Sequence, residues 1–233
     1  MADSKFKRPS ITTPIGTFRF PKLKEPDYGN DQVPKPDGEY SCQLVVKNDS
    51  EEFKTLMRHL QPHYEAALND AEQAFKELPV GTRKKLERIK PNALFNIIYD
   101  KETEQPTGDV VFKATAKASG VRKKGPKAGT KWTYKPAVFD AKGNFIKNVP
   151  DVWSGTRGRL NIELFPYFIP GTGVAGLRLQ LVGAQIIELV SGGSKSASAM
   201  GFGEMDGYEA SNEPEPEQFP ENHDNTDVSK GDF

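Results

Sequence analysis

The side chains best suited to chemistry in this chain are cations set among aromatic rings. Arg122-Lys123-Lys124-Gly125-Pro126-Lys127 leads through Lys131 to Trp132, Tyr134 and Lys135. Trp153 is followed by Arg157 and Arg159, and Phe165-Pro166-Tyr167-Phe168 precedes a run of glycines. Arg83-Lys84-Lys85 forms a further basic group. A single strand of DNA exposes both phosphates and unstacked bases. A groove of Lys and Arg with ring platforms answers both, at about 1–3 kcal/mol per stacked base. The phosphate share must weaken with salt, by a slope of about −0.7 per neutralised charge. Phosphates then fall to Arg83, Lys84, Lys85, Arg122, Lys123, Lys124 and Arg157. Bases fall to Tyr167, with Trp132, Tyr134 or Phe168 as further platforms. Plainer roles stay open beside these. The Arg122 to Lys127 run also reads as a solvated turn, and Trp132 and Tyr134 also read as core or helix packing. Arg83, Lys84 and Lys85 also read as cations complementing a helix C-terminus.

Catalytic constellations are hard to find. His59 and His63 stand four apart at helical spacing but lack a nearby third ligand, so they read as solvent-facing and no metal is expected. Cys42 falls on the inward side of an alternating stretch and reads as structural. Gly171-Thr172-Gly173-Val174-Ala175-Gly176 spells a dinucleotide-binding pattern, but a strand-like segment follows it. Without a helix N-terminus it has no dipole for a pyrophosphate and reads as a glycine loop between strands. No cofactor and no enzymatic activity are expected. A phosphate-handling enzyme would need a carboxylate pair or histidine set at ligand spacing, which the body lacks.

Charge divides the chain in two. Residues 191–233 carry 10 Asp/Glu against 2 Lys/Arg, a net of −8. With 32 of each in the whole chain, residues 1–190 carry 30 basic and 22 acidic, a net of +8. A basic body with an acidic arm is the expected organisation. Residues 1–190 are the binding domain, with a basic flexible arm over 1–14, and 191–233 are a Gly/Ser linker and a disordered acidic tail. One cysteine excludes an internal disulfide framework and fits a reducing compartment. The polar start and the lack of a long apolar run predict a soluble protein with no membrane partner.

The positioning elements follow from periodicity. Gly16 to Phe20 alternates as a first strand, and Pro21 to Pro36 reads as irregular loop. Glu39 to Lys47 turns Tyr40, Cys42, Leu44 and Val46 one way. Phe53 to Leu78 recurs every three or four residues and predicts one long helix, with cap candidates in Asn48-Asp49-Ser50 and capping-box spacing between Asp49 and Glu52. Pro62 should kink it, and Pro79 and Gly81 should end it, leaving Arg83 to Lys90 as a basic connector. Val110 to Ala118, Lys131 to Phe139 and Arg159 to Phe165 alternate as strands. A loop over Pro166 to Gly176 precedes Leu177, Leu179 and Leu181, and Gly183 marks a bulge. Short strands with one inserted helix predict a mainly β fold, a five-stranded Greek-key OB-fold barrel.

The chain resembles the single-stranded DNA-binding proteins of short-tailed, T-seven-like phages. Lys24-Glu25-Pro26-Asp27-Tyr28-Gly29-Asn30 matches an early family segment. Phe139-Asp140-Ala141-Lys142-Gly143 through Val149-Pro150, then Leu164 to Leu189 with Pro166-Tyr167 and Gly173, follow its late strands. The acidic arm closing in Gly231-Asp232-Phe233 matches its C-terminus. The resemblance implies an OB-fold and sequence-independent binding of single-stranded DNA in phage replication, recombination and repair, in the host bacterial cytoplasm. It implies a tail, read by partners at Asp232 and Phe233, that recruits phage DNA polymerase and primase-helicase. It carries DNA contact onto Arg83 and Tyr167, and it brings a homodimer that the residues themselves do not show. This tail departs from the family's denser acidic runs, because Pro214, Pro216, Pro220 and several asparagines dilute it. The rival readings are a general DNA or RNA binder that also takes duplex, and an adaptor active only through its tail.

Overall fold

Apolar side chains at every second position set the strands of this protein, and a single amphipathic helix covers one side. The computed structural model describes residues 8–192. A short strand β1 (Ser10–Thr12) leads into the long hairpin of β2 (Gly16–Gly29) and β3 (Pro34–Lys47). The helices α1 (Glu51–Lys76) and α2 (Val80–Leu86) follow. Next come β4 (Lys90–Pro91), β5 (Asn96–Tyr99) and β6 (Pro106–Lys117). β7 (Ser119–Val121) and β8 (Lys131–Thr133) make a separate ribbon, and β9 (Ala137–Phe139) returns to the main sheet. β10 (Arg157–Ile169) and β11 (Val174–Glu188) complete the order.

Five of these strands close on themselves. β2 pairs antiparallel with β3, and β3 with β6. β6 meets β11 in parallel, at Leu179↔Ala114 and Gln180↔Thr115. β11 pairs antiparallel with β10, which reaches back to β2 at Gly158↔Gly16. That cycle is the OB-fold barrel expected from the pattern. Its interior holds Tyr40, Cys42, Leu44 and Val46 from β3 and Phe112, Ala114 and Ala116 from β6. Leu160, Ile162, Leu164, Leu177, Leu179 and Leu181 fill the rest, as the alternation predicts. Where β10 closes onto β2, a Cβ on Gly158 would stand 2.3 Å from the Gln185 carbonyl oxygen and 2.6 Å from Phe18 Cζ. Only glycine lets the closing strands approach this far. Gly183 marks the expected irregularity, since the β10–β11 register jumps from Asn161↔Gly183 to Ile162↔Leu181.

The helix α1 buries Leu56, Leu60, Ala67 and Ala71. Of the cap candidates, Ser50 is the one that caps the helix. Ser50 Oγ accepts the Phe53 N–H at 3.1 Å, while Asp49 occupies the left-handed region at φ 62°. Glu51 and Glu52 in the first turn complement the helix dipole. Pro62 lies on the exposed side and the helix continues through it. Beyond Pro79 the chain folds into α2, so Arg83, Lys84 and Lys85 sit on a helix and not in a connector. Pro79 starts that helix, because a proline's fixed φ and missing N–H suit a helix entry.

Two loops are shorter than composition suggests. The Pro21 to Pro36 stretch is mostly strand, and its prolines are absorbed by register shifts between Arg19 and Lys22 and between Lys22 and Asp27. The turn itself is Asn30 to Val33, closed by backbone bonds of 3.1 and 3.2 Å. At the other end β10 runs to Ile169 and β11 begins at Val174, so Tyr167 and Phe168 stand on a strand. The glycine run ends in a strand, as the rejection of a dinucleotide site requires. The Lys131 to Phe139 stretch breaks into β8, paired with β7, and β9, parallel to β11.

Candidate nucleic-acid interface

The outward residues of β6, β10 and β11 are complementary to the buried set, and they line a groove. Lys113 and Thr115 flank the inward Ala114, Phe165 and Tyr167 follow the inward Leu164, and Arg178 stands between Leu177 and Leu179. With Glu39 and the Asn92–Asn96 segment they bound a cavity of about 630 Å³. Register brings the mixture together, since Phe165 lies directly opposite Arg178. Both cations around this ring are unpaired among the described residues, with Arg8 Cζ 4.3 Å and Arg178 Cζ 5.0 Å from the Phe165 centroid. The one carboxylate in the lining, Glu39, is bound to Lys35 at 2.8 Å.

Tyr167 is held in place. Its hydroxyl oxygen accepts a hydrogen bond from Asn92 Nδ2 at 2.7 Å, and the Asn92 backbone N–H donates to the Ala175 carbonyl at 2.7 Å. A Cβ on Gly176 would sit 3.2 Å from both the Tyr167 hydroxyl and the Asn92 carbonyl, so the small residue makes room for this clamp. From α1, Tyr64 approaches the same place. Burial raises its pKa above the ordinary phenol range, and the neighbouring Tyr167 raises it further. Tyr167 therefore presents a half-buried ring with its edge fixed, which suits a stacking platform.

The other sequence candidates are distributed over several elements. Arg83 is half-buried, and its Nε donates to the Leu78 carbonyl at 3.1 Å, so it closes the end of α1. Lys84 and Lys85 are exposed. The α2 helix packs beside the β10–β11 turn, since a Cβ on Gly173 would lie 3.7 Å from Leu86 Cδ1. Lys90 joins it there by donating its N–H to the Gly173 carbonyl at 2.7 Å. Arg122, Lys123 and Lys124 project from the exposed tip of the β7–β8 ribbon. Trp132 lies flat on that ribbon, its Cζ2 only 2.8 Å from where a Gly120 Cβ would be. Tyr134 packs against the core and donates its hydroxyl to the Leu181 and Val182 carbonyls at 2.9 and 3.2 Å. Burial, then Glu163, raises its pKa, and the packing alternative describes it. Phe168 packs against Ala71, Ile89 and Ala175, beneath the helix and away from a platform role. Arg157 stands eight residues from Phe165 along β10, about 26 Å at ~3.3 Å per residue. There it is paired with Glu188 at 2.9 Å.

Sequence reasoning overlooked Arg8, Lys113 and Arg178, and named Phe165 only as part of an aromatic run. For Lys113, Phe165 and Arg178 the signal lay in the outward half of strands whose inward half alternates, whereas Arg8 precedes β1 in the segment read only as a basic arm. His59 and His63 are exposed on α1, and His59 Nδ1–H donates to the Thr55 carbonyl at 2.9 Å. Cys42 is fully buried, and burial pushes its thiol pKa far up, which makes it inert. Asp232, Phe233 and the rest of the acidic segment lie outside the described residues, as do residues 1–7 of the basic arm. Among the described residues no helix is long and apolar enough to cross a membrane.

A family model for the single-stranded DNA-binding protein of bacteriophage T7 matches residues 16–189. The chain belongs to that family. It is 26% identical over 193 residues to the single-stranded DNA-binding protein of Enterobacteria phage T3, covering 81% of this chain and 79% of that one. Against the single-stranded DNA-binding protein of Escherichia phage T7 the identity is 25% over 206 residues, covering 86% and 85%. The crystal structure of the bacteriophage T7 single-stranded DNA-binding protein gp2.5 superposes with a TM-score of 0.61 at 22% identity. It covers 88% of this chain and 100% of that one. The resemblance seen in the residues and the OB-fold expected from them both hold. The family match includes every strand of the barrel and stops one residue short of Val190.

Proposed function

We propose that this chain is a non-enzymatic, sequence-independent single-stranded DNA-binding protein whose strand lies in the groove between β6, β10 and β11. The observation that carries the reading is the conjunction in that groove of the clamped Tyr167 ring with the unpaired Lys113 and Arg178. A ring platform beside cations suits unstacked bases joined by phosphates, and it asks nothing of base identity. Lys84 and Lys85 on α2 flank the same hairpin turn and extend the phosphate track. Arg122, Lys123 and Lys124 on the ribbon tip form a second basic patch for the strand's continuation.

Residues 1–190 are proposed as the binding domain, and residues 191–233 as a linker and acidic arm. The arm competes for the basic groove when DNA is absent, since +8 and −8 on one chain place it at high local concentration. Bound DNA then releases it, and Asp232 and Phe233 are read by phage DNA polymerase and primase-helicase during replication, recombination and repair in the host cytoplasm. A homodimer belongs to the same proposal and is read from sedimentation of the full chain. The primary test is competition between single-stranded and duplex DNA of equal length for the intact protein. Preference for the single strand by an order of magnitude or more is expected. Equal binding of duplex would overturn the single-strand reading and leave a general nucleic-acid binder.

A further inference from the structure

Phe165 is an outward ring on β10 approached by two guanidinium groups from opposite flanks. Arg178 comes from β11 as its direct register partner. Arg8 comes from the other side, where the Pro9 carbonyl accepts the Leu164 N–H at 3.0 Å and β1 pairs with β10. Their Cζ atoms stand 5.0 and 4.3 Å from the ring centroid. Both side chains are exposed, and neither makes an ion pair among the described residues. Two like charges gathered at one ring repel each other, so the arrangement favours an arriving anion.

We propose that Phe165 is a second base platform beside Tyr167, covered by Arg8 in the free protein, and that Arg8 and Arg178 become phosphate contacts when a base displaces the cover. The proposal rests on the groove reading above. Phe165 and Tyr167 are two residues apart on one strand face, about 6.7 Å at ~3.3–3.4 Å per residue. That is roughly twice the ~3.4 Å rise per nucleotide of a stacked strand, so the two rings take neighbouring bases from a drawn-out strand. The exchange runs toward DNA because a base stacks on an aromatic ring more strongly than an exposed guanidinium does. Arg8 loses its ring contact and gains a phosphate. Pro9 and β1 hold the backbone behind it, so the side chain alone can make the move.

The test uses the full chain, a fluorescent oligothymidine and an abasic strand of equal length, titrated across a salt series. Phe165→Ala should weaken oligothymidine binding about tenfold at each salt with an unchanged slope, and should leave abasic binding alone. Arg178→Ala should reduce the salt slope by about 0.7 on both strands. Arg8→Ala should cross over, weaker than wild type at low salt but about threefold tighter at high salt, where an uncovered ring outweighs a lost phosphate contact. Phe165→Leu, checked by thermal melting, keeps apolar bulk if the alanine variant does not fold, and the same loss is expected. An equal loss on the abasic strand, or no loss on oligothymidine, overturns the platform. An Arg8→Ala variant weaker or unchanged at every salt overturns the cover. If Tyr167→Ala and Lys113→Ala are also without effect, the groove reading itself fails, which is a separate result.

Discussion

At the scale of single residues, the site turns on how a ring is presented. Tyr167 has one edge tied by Asn92 while its flank meets the groove. Tyr167→Ala should cost about 1–3 kcal/mol of single-strand affinity. Tyr167→Phe keeps the platform, loses only the Asn92 bond, and should stay within about 1 kcal/mol of wild type. Fluorescence anisotropy with oligothymidine reads both, and equal losses in the two variants would assign the effect to the hydroxyl. Tyr167 could be picked from the sequence because an aromatic pair beside glycines has no evident core role. Phe168, its neighbour, could not be separated from it, because which of two adjacent rings faces the helix depends on a strand extending to Ile169. Arg178 was hidden for the opposite reason. A lone arginine between leucines looks like any solvated strand position until closure of the barrel sets it against Phe165.

At the scale of elements, period-two alternation was readable wherever one face is buried. The inward sets of β3, β6, β10 and β11 all follow it. Legibility failed where prolines interrupt the pattern. Pro21 and Pro26 suggested a loop, yet bulges carry them inside a strand pair whose far end is pinned by side chains. There Lys35 bridges Asp27 and Glu39, each at 2.8 Å. The bond from Lys35, then the Gly29 N–H, holds the Asp27 carboxyl below its ordinary pKa. Its pKa is thus lower folded than unfolded, so the bridge contributes stability above the unfolded value and loses it as pH falls through the folded one. Wild type should therefore melt higher than Asp27→Asn at neutral pH, with the two curves converging in acid. A gap that widens on acidification would contradict the sign.

At the scale of the whole molecule, two opposite charges share one chain, and only ionic strength separates their effects. Removing residues 204–233 should tighten single-strand binding at low salt, with the two affinities converging as salt rises. Identical titrations at every salt would count against an arm that competes for the groove. The charge division is visible by counting, whereas the groove between β6, β10 and β11 is not, since that surface exists only after closure. Closure has an order in time. β11 bonds to β10, β6, β9 and β4, and it is the last strand of the described chain. A polypeptide leaving the ribosome therefore carries β2, β3 and β6 as an open sheet until residue 188 has emerged. Its β6 seam stays unmade throughout that interval, exposed to other chains. The tail's acidic residues, from Glu204 onward, follow the strand that shuts the barrel, so the closed body first stands alone with its net charge of +8 and the chain reaches neutrality only when the arm is complete.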